Sequence, residues 1–422
     1  MPVVRDLFYL LAALLTAPIW LFRMVRTGKL RTDWAGRLGR GPALGKTPGT
    51  RRLLLHAVSV GEVNAVRGLI GRMLEKAPGR IDIVISVTTD TGYAQAAALY
   101  AESCRVVRYP FDFSPAVRRW LDRIQPDLIA LVELEVWPNL VDLAGRRGIP
   151  VGVINGRLTE RSARRYGFLG PLVRSMFARL AFVTAQDEEY AARFRRLGVP
   201  EERVETAGTL KWDNAVLKID PGAPERLAEA LGIDRNRPLV VAGSTAPGEH
   251  ELLAEVVPED VQLLFAPRKP EWFDEAARVF PGCTRRSRGE RGSQTGRFLL
   301  DTIGELRAAY ALADIIIIGR TFVPLGGSDM IEAAALGKPV LIGPHVENFR
   351  ETVATLLDRD AILQMNREEL ADRLGQLLGD PEARRSLSAR AQEVVRQQQG
   401  ATERHHALLC RFLLPDPDSE AR

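Results

Sequence analysis

From residue 53 onward the chain alternates short continuous apolar runs with stretches of helical spacing. A run that is apolar at every position must be buried on both faces. A parallel sheet covered by helices on both sides provides that environment. The first series predicts strands at Leu53–Ala57, Ile83–Thr88, Val106–Tyr109, Leu128–Val132, Val151–Ile154 and Phe182–Ala185, and Glu201 to Gly208 reads as a short connection. "KIDPGAPERLAEALGIDRNRP" (Lys218–Pro238) carries turn signals at both ends and breaks the pattern, so the domain junction is placed there. A second series predicts strands at Leu239–Ala242, Gln262–Ala266, Phe298–Leu300, Ile315–Ile318 and Val340–Ile342. Arg285–Gly296 reads as a flexible loop, and Arg367–Phe412 as mostly helical. The expected fold class is α/β, with two facing Rossmann-like domains in sequence. Ligands then belong at the carboxyl ends of the strands, in the cleft between the lobes.

Length and composition agree: 422 residues, 46% hydrophobic and 26% charged, make ample core for two to three domains. Three scattered cysteines show no metal or redox spacing and fit a reducing compartment. Five histidines argue against a histidine-based metal site. The net charge of +5 hides an asymmetry. Residues 1–210 carry 31 basic against 20 acidic side chains, and residues 211–422 carry 27 against 33. A basic front half suggests an anionic partner, nucleic acid or a membrane surface. The amino terminus favours the membrane. "LFYLLAALLTAPIWLF" (Leu7–Phe22) is uncharged, slightly short for a span of about 20 residues, and lacks a cleavage motif. By the positive-inside rule the basic flank, Arg23 to Arg40, would put the remainder of the chain in the cytoplasm. A short anchor or an interfacial helix is expected at residues 1–25.

Several stretches carry chemistry. In "HAVSVGEV" (His56–Val63) a buried strand hands over to a helix through Gly61, and Glu62 follows at once. The helix start would stabilise this carboxylate, lower its pKa and keep it ionised; His56 reads as a packed strand residue. "LVELEVWPNL" (Leu131–Leu140) repeats the arrangement with Glu133 and Glu135, which would point to one side of an extended chain. "GRLTERSARRYGFLGPLVRSMFAR" (Gly156–Arg179) holds six arginines against one acid, either a solvated face or an anion site that includes Arg157, Arg161 and Arg164. In the second half, "VAGST" ends a strand at Ser244, and Arg268 and Lys269 follow another. "GGSDMIEAAALG" places a Gly-Gly turn before a short helix, where backbone N–H groups can meet a phosphate and Glu332 can accept from ribose hydroxyls. No Walker loop and no GxGxxG with a following acid occurs.

Taken together, "HAVSVGEV", "VTTDTGYAQA", "YPFDF", "VELEVWPNL", "INGRLTERSARRY", "AGTLKWD", "AGSTAPGEHELL", "APRKPEWFDE", "DTIGELRAAYALAD" and "GGSDMIEAAALGKPVLIGPHVENFRE" resemble the 3-deoxy-D-manno-octulosonic acid (Kdo) transferases of lipopolysaccharide synthesis. The resemblance covers nearly the whole chain in order. It implies a GT-B glycosyltransferase that moves Kdo from CMP-Kdo to a lipid A precursor of the lipid IVA type, inverting configuration, with no cofactor or bound metal. The implied domains are a membrane anchor at 1–25, an acceptor-binding domain at 26–217, a donor-binding domain with C-terminal helices at 218–415, and a tail at 416–422. The implied catalytic residues are Glu62 as general base, Glu133 and Lys211. The implied donor contacts are Ser244, Pro267, Arg268, Ile303, Gly304, Glu305, Gly327, Asp329, Met330, Ile331 and Glu332. Two positions depart from the family pattern. Gly327-Ser328-Asp329 stands where the family reads Gly-Gly-His-Asn, and "PRK" stands for "PRH". Asp329 adds a negative charge beside the nucleotide, which Lys269 or Arg320 could offset.

The implied partners are CMP-Kdo, the lipid A precursor and inner-membrane lipids. An anchored GT-B transferase using another nucleotide sugar and lipid acceptor is the alternative. A catalytically silent membrane-surface protein is a further one. A nucleic-acid binder is disfavoured because no aromatic-interleaved basic module occurs.

Overall fold

The computed structural model describes residues 2–26, 32–168, 170–215 and 220–414. The chain divides into two compact units. Residues up to 214 together with those from 400 onward form the first, and residues 215–399 form the second.

Strands β1 (Arg51–Ala57), β2 (Ile81–Val87), β3 (Arg105–Arg108), β4 (Leu128–Val132), β5 (Val151–Gly156), β6 (Phe182–Ala185) and β7 (Val204–Thr206) make the first sheet, in the order β3-β2-β1-β4-β5-β6-β7. All pairings are parallel. The all-apolar strand β4 is buried throughout, as helices on both faces require. The chain winds outward from β1 to β3, then returns to lay β4 beside β1. That reversal opens a crevice outside the carboxyl ends of β1 and β4.

In the second unit, β8 (Leu239–Thr245), β9 (Gln262–Pro267), β10 (Thr284–Arg285), β11 (Arg297–Leu299), β12 (Ile315–Ile318), β13 (Val340–Ile342) and β14 (Leu363–Gln364) form a second parallel sheet, ordered β10-β11-β9-β8-β12-β13-β14. Its reversal falls between β8 and β12. Ten of the eleven expected strands overlap those observed by most of their length, and Phe298–Leu300 overlaps β11 with a one-residue offset. Strand β7 lies where a connection was expected: only Val204 of its three residues is buried, so this edge strand shows no apolar pattern. The expected flexible loop Arg285–Gly296 begins in an ordered turn, because Arg285 pairs with Asp301 at 2.8 Å.

One boundary needs correction. The helix Ala401–Leu413 belongs to the first unit, not to the donor-side domain ending at 415. Its Ala401, Leu408, Leu409 and Leu413 share a core with Leu53, Leu55, Ile83 and Ile85. Asp213 at the end of the first pass caps the returning helix through the Gly400 amide at 2.8 Å. The observed division at 214/215 falls close to the expected 217/218. The tail 416–422 lies outside the described residues, as do Lys29 and Arg31 of the basic flank.

A helix spans Pro2–Arg26. No helix among the described residues is long and apolar enough to cross a membrane. The helix is docked at its start. Arg5 donates to the Pro138 carbonyl at 2.7 Å, and Asp6 accepts from the Ser114 amide and the Asn139 side chain, both at 2.9 Å. Beyond that turn Leu10, Leu11, Leu14, Leu15, Ile19 and Phe22 are exposed.

Candidate active site

The two edges of the first sheet use charge differently. At the amino-terminal edge, ions are paired: fully buried Arg52 meets Asp82 at 2.7 Å, and Lys46 meets Asp127 at 2.7 Å. At the carboxyl edge, three carboxylates gather near the reversal between β1 and β4. Glu62 follows β1, and Glu133 and Glu135 follow β4. None of the three has an ion-pair partner among the described residues.

Local chemistry fixes Glu62. Ser59 caps the short helix Val60–Ala65, and Glu62 is its third residue. The Glu62 carboxylate reaches back to accept from the Val58 amide, one residue before the cap, at 2.8 Å and from the Ser59 hydroxyl at 3.0 Å. These two bonds orient the acid. The expectation of a lowered pKa is corrected here. Burial pushes the Glu62 carboxyl up to about 7, and the negative charges of Glu133 and Glu135 push the same way. The bonds from Val58 and Ser59 oppose this and lose.

Glu133 and Glu135 do not continue an extended strand, as the two-residue spacing had suggested. Strand β4 ends at Val132, and Glu133 adopts left-handed backbone with φ 62°. Glu135 accepts from the Trp137 indole at 3.1 Å, and its pKa is raised by burial and by Glu133. Glu133 is one of four non-glycine residues held left-handed at the carboxyl ends of strands near the two reversals, with Asn155, Ser244 and Arg320. Such backbone costs about 1–3 kcal/mol per residue and collects at functional sites.

Lys211 lies in the helix Leu210–Ala215. Two links tie this helix to the carboxylate edge. The Leu210 amide donates to the Asn155 side chain at 3.1 Å. Asn214 accepts from Gly68 at 2.9 Å and donates to Ala65 at 2.7 Å, gripping the end of the Glu62 helix. Asn155 is held in turn by the returning helix: its amide donates to His405 Nε2 at 2.9 Å. His405 Nδ1 must then donate to the Ala401 carbonyl at 2.7 Å, which specifies the neutral imidazole. His56 is a packed strand residue, fully buried, 3.2 Å from the Ser86 hydroxyl and stacked on Tyr109.

The second unit gathers its expected donor residues around β8, β9 and β12. Ser244, next to last in β8, is left-handed with φ 59°. Pro267 closes β9, and Arg268 next to it donates its amide to the Thr245 carbonyl at 2.9 Å while exposing its side chain. The charges of Glu332, Asp329 and Arg268 all act on the buried Tyr310 hydroxyl, so these groups share one neighbourhood. Tyr310 packs against the backbone of Gly243, where any side chain would overlap it. Met330 and Ile331 are buried, and Gly327 turns with φ 82° before the helix Ile331–Ala335. Glu332 faces Arg307 at 3.5 Å. Ile303 is 86% exposed beside Gly304, and Glu305 holds Arg286 at 3.0 Å.

At Asp329, where the departure adds a charge, the carboxylate accepts the Ile331 amide at 2.9 Å. The two cations expected near it are engaged elsewhere. Lys269 pairs with Glu271 at 3.0 Å, and Arg320 donates to the Leu325 carbonyl at 2.7 Å. Glu249 was not singled out from sequence, although its place in a helix's first turn was a signal. Its buried carboxylate accepts from Ala246, Arg320 and Phe322 amides at 3.0, 2.7 and 3.0 Å, binding the loops after β8 and β12 together.

Of the three expected acceptor arginines, Arg157 follows β5 and its amide approaches the Glu133 carbonyl at 3.4 Å. Arg161 and Arg164 lie on the exposed helix Glu160–Phe168, and Arg164 pairs with Glu160 at 3.2 Å. Arg157 is thus brought to the carboxylate edge through its backbone, whereas the other two sit on a solvated face.

A family model described as 3-deoxy-D-manno-octulosonic-acid transferase (kdotransferase) matches residues 32–214. The chain is 34% identical to the 3-deoxy-D-manno-octulosonic acid transferase of Bordetella pertussis, covering 94% of this chain and 96% of that one. It is 30% identical to the transferase of the same description from Haemophilus influenzae, covering 87% and 88%. Among solved structures, a UDP-N-acetylglucosamine 2-epimerase shares the fold with a TM-score of 0.59 at 15% identity, covering 86% of this chain and 96% of that one.

Proposed function

The chain belongs to the 3-deoxy-D-manno-octulosonic acid (Kdo) transferase family, and from that premise we propose that it moves Kdo from CMP-Kdo onto a sugar hydroxyl of a lipid A precursor, with inversion. The observation that carries the mechanism is the Glu62 carboxyl. It is oriented by its cap, flanked by two more carboxylates and raised to about 7, the range in which a general base works best at neutral pH. Glu62 takes the proton from the acceptor hydroxyl as that oxygen bonds to C2 of Kdo. The bond from C2 to the phosphate oxygen breaks, and CMP leaves with the electron pair. Lys211 and Arg268 stabilise the charge developing on the phosphate. Glu133 keeps the Glu62 proton affinity high. Ser244, Pro267, Ile303–Glu305 and Gly327–Glu332 hold the nucleotide, with Glu332 on the ribose.

Membrane association belongs to the same proposal. The exposed apolar residues of the Pro2–Arg26 helix suit burial in the headgroup region of an inner membrane, on its cytoplasmic side. Incubating the purified chain with CMP-Kdo and a tetraacylated lipid A precursor, with product masses read out, tests the reaction. Products heavier by whole Kdo residues are expected. Transfer from a UDP-sugar instead, or no CMP-Kdo-dependent product, would overturn it.

A further inference from the structure

A cavity of about 940 Å³ lies beside the carboxylate edge, wholly within the first unit. Its apolar wall comes from Phe8, Leu134, Val136, Val141, Val173 and Met176. The volume falls at the upper end of the range of about 300–1,000 Å³ typical of sites for small organic ligands. Two features give it a direction. On one side it is lined by Glu135, whose charge acts on Glu62. On another it meets Asp142, which is 5% exposed at its side chain and serves three arginines: Arg5 at 3.0 Å, Arg146 at 3.2 Å, and Arg179. Arg5 and Arg179 put two guanidinium groups on this side of the cavity, and Arg146 stands behind them on the same carboxylate. The buried Arg5 Nε has no hydrogen-bond partner among the described residues.

We propose that this cavity holds one acyl chain of the acceptor lipid, with an anionic headgroup group on the Asp142 arginines and the reacting sugar toward Glu135 and Glu62. This rests on the transferase reading above and names how that site selects its acceptor. An apolar chamber, a cationic rim and a carboxylate wall are the three complements of an acylated, phosphorylated sugar. The amino-terminal helix is then a wall of the acceptor site as well as a membrane contact, because Arg5, Phe8 and Tyr9 line the chamber. Tyr9 ties the helix to the domain, donating at 3.2 Å to Asp112, which is itself held by the Asn139 and Leu140 amides at 2.9 and 3.0 Å.

Two measurements on the full chain test this. The first compares kcat/KM for a tetraacylated acceptor with that for the same disaccharide stripped of its acyl chains. Val141→Phe and Met176→Phe fill the chamber, and each should lower the acylated-to-deacylated ratio at least tenfold. A ratio cancels any loss of folded protein, so an unchanged ratio in both variants would overturn the proposal. The second needs no catalysis. Phosphatidic acid brominated along its acyl chains should quench the fluorescence of Trp137, which lines the chamber, and the quenched fraction should fall in Trp137→Phe and in Met176→Phe. Quenching that is the same in wild type and both variants would also overturn it. If quenching behaves as expected while no Kdo is transferred to any acceptor, the transferase reading fails and the acyl site stands.

Discussion

Replacing Glu62 by Gln reads the proposed base through two assays that should move in opposite directions. In the folded chain the carboxyl is lifted from 4.5 to about 7, chiefly by burial. A folded pKa above the unfolded one means that the fold holds the proton more tightly. The resulting stability is complete below pH 4.5 and is lost as pH rises through 7. At about 1.4 kcal/mol per pH unit, ionised Glu62 costs the fold about 3 kcal/mol above pH 7. Glutamine cannot ionise. The variant should therefore unfold later than wild type at pH 8.5, by about 6–12 °C for a unit of this size, and the gain should shrink toward zero at pH 5. Transfer should meanwhile fall by about 10²–10⁴-fold, the usual contribution of general-base assistance. Wild-type turnover should track the ionised fraction, about a tenth at pH 6 and about a hundredth at pH 5. Thermal scans across pH and initial rates at saturating CMP-Kdo supply both readouts. Near-normal turnover in Glu62→Gln would refute the base. A melting difference independent of pH would refute the buried, unpaired carboxylate.

His405 should show the opposite pH sign. Burial lowers its pKa to about 4 from 6.5, so its stability contribution is present above pH 6.5 and is lost as pH falls to 4, amounting to about 3 kcal/mol. His405→Phe should flatten that part of the urea-unfolding profile and cost about 1–3 kcal/mol at pH 7 by orphaning the Asn155 amide. Gly243→Ala drives a methyl group into Tyr310; a loss of about 1–3 kcal/mol is expected by calorimetry, with weaker CMP binding, and an unchanged melting point would contradict the packing. Asp329→Asn keeps an acceptor for the Ile331 amide and removes a negative charge beside Glu332. CMP should bind severalfold more tightly, as expected for about 1 kcal/mol of relieved repulsion, and calorimetric titration showing equal or weaker affinity would sink this account.

The strand pattern was legible because both-face burial writes itself into sequence as uninterrupted apolar runs; "LIALV" and "IIII" could be placed to the residue. Edge strands do not carry that mark. Val204–Thr206 buries one side chain, and Leu363–Gln364 pairs on only one side, so neither stood out from loop. Glu62 and Glu133 were legible as strand-end carboxylates, because acids directly after buried strands are conspicuous. Their backbone was not. The left-handed turn at Glu133 depends on its amide bonding the Ile154 carbonyl of a neighbouring strand, about which the local sequence says nothing.

The protonation of Glu62 and the return of the C-terminal helix were misread for one shared reason. Local rules act over a turn of helix, whereas both outcomes are decided by residues far apart in sequence. A helix start favours the charged carboxylate by about 0.3–1 kcal/mol. Burial against the sheet, with Glu133 and Glu135 contributed by a strand some seventy residues later, opposes it more strongly and reverses the sign. The Ala401–Leu413 segment likewise shows only an amphipathic face, which any core could accept. What assigns it to the first unit is polar: the Asn155 amide meets His405 across 250 residues, and Asp213 meets Gly400 across 187. A neutral histidine between two backbone groups specifies one docking register, because a one-residue slip would bury both of its nitrogens unpaired. The same link holds Asn155, whose side chain fixes the start of the Lys211 helix. The Ala401–Leu413 helix thereby sets the position of a proposed catalytic residue through Asn155.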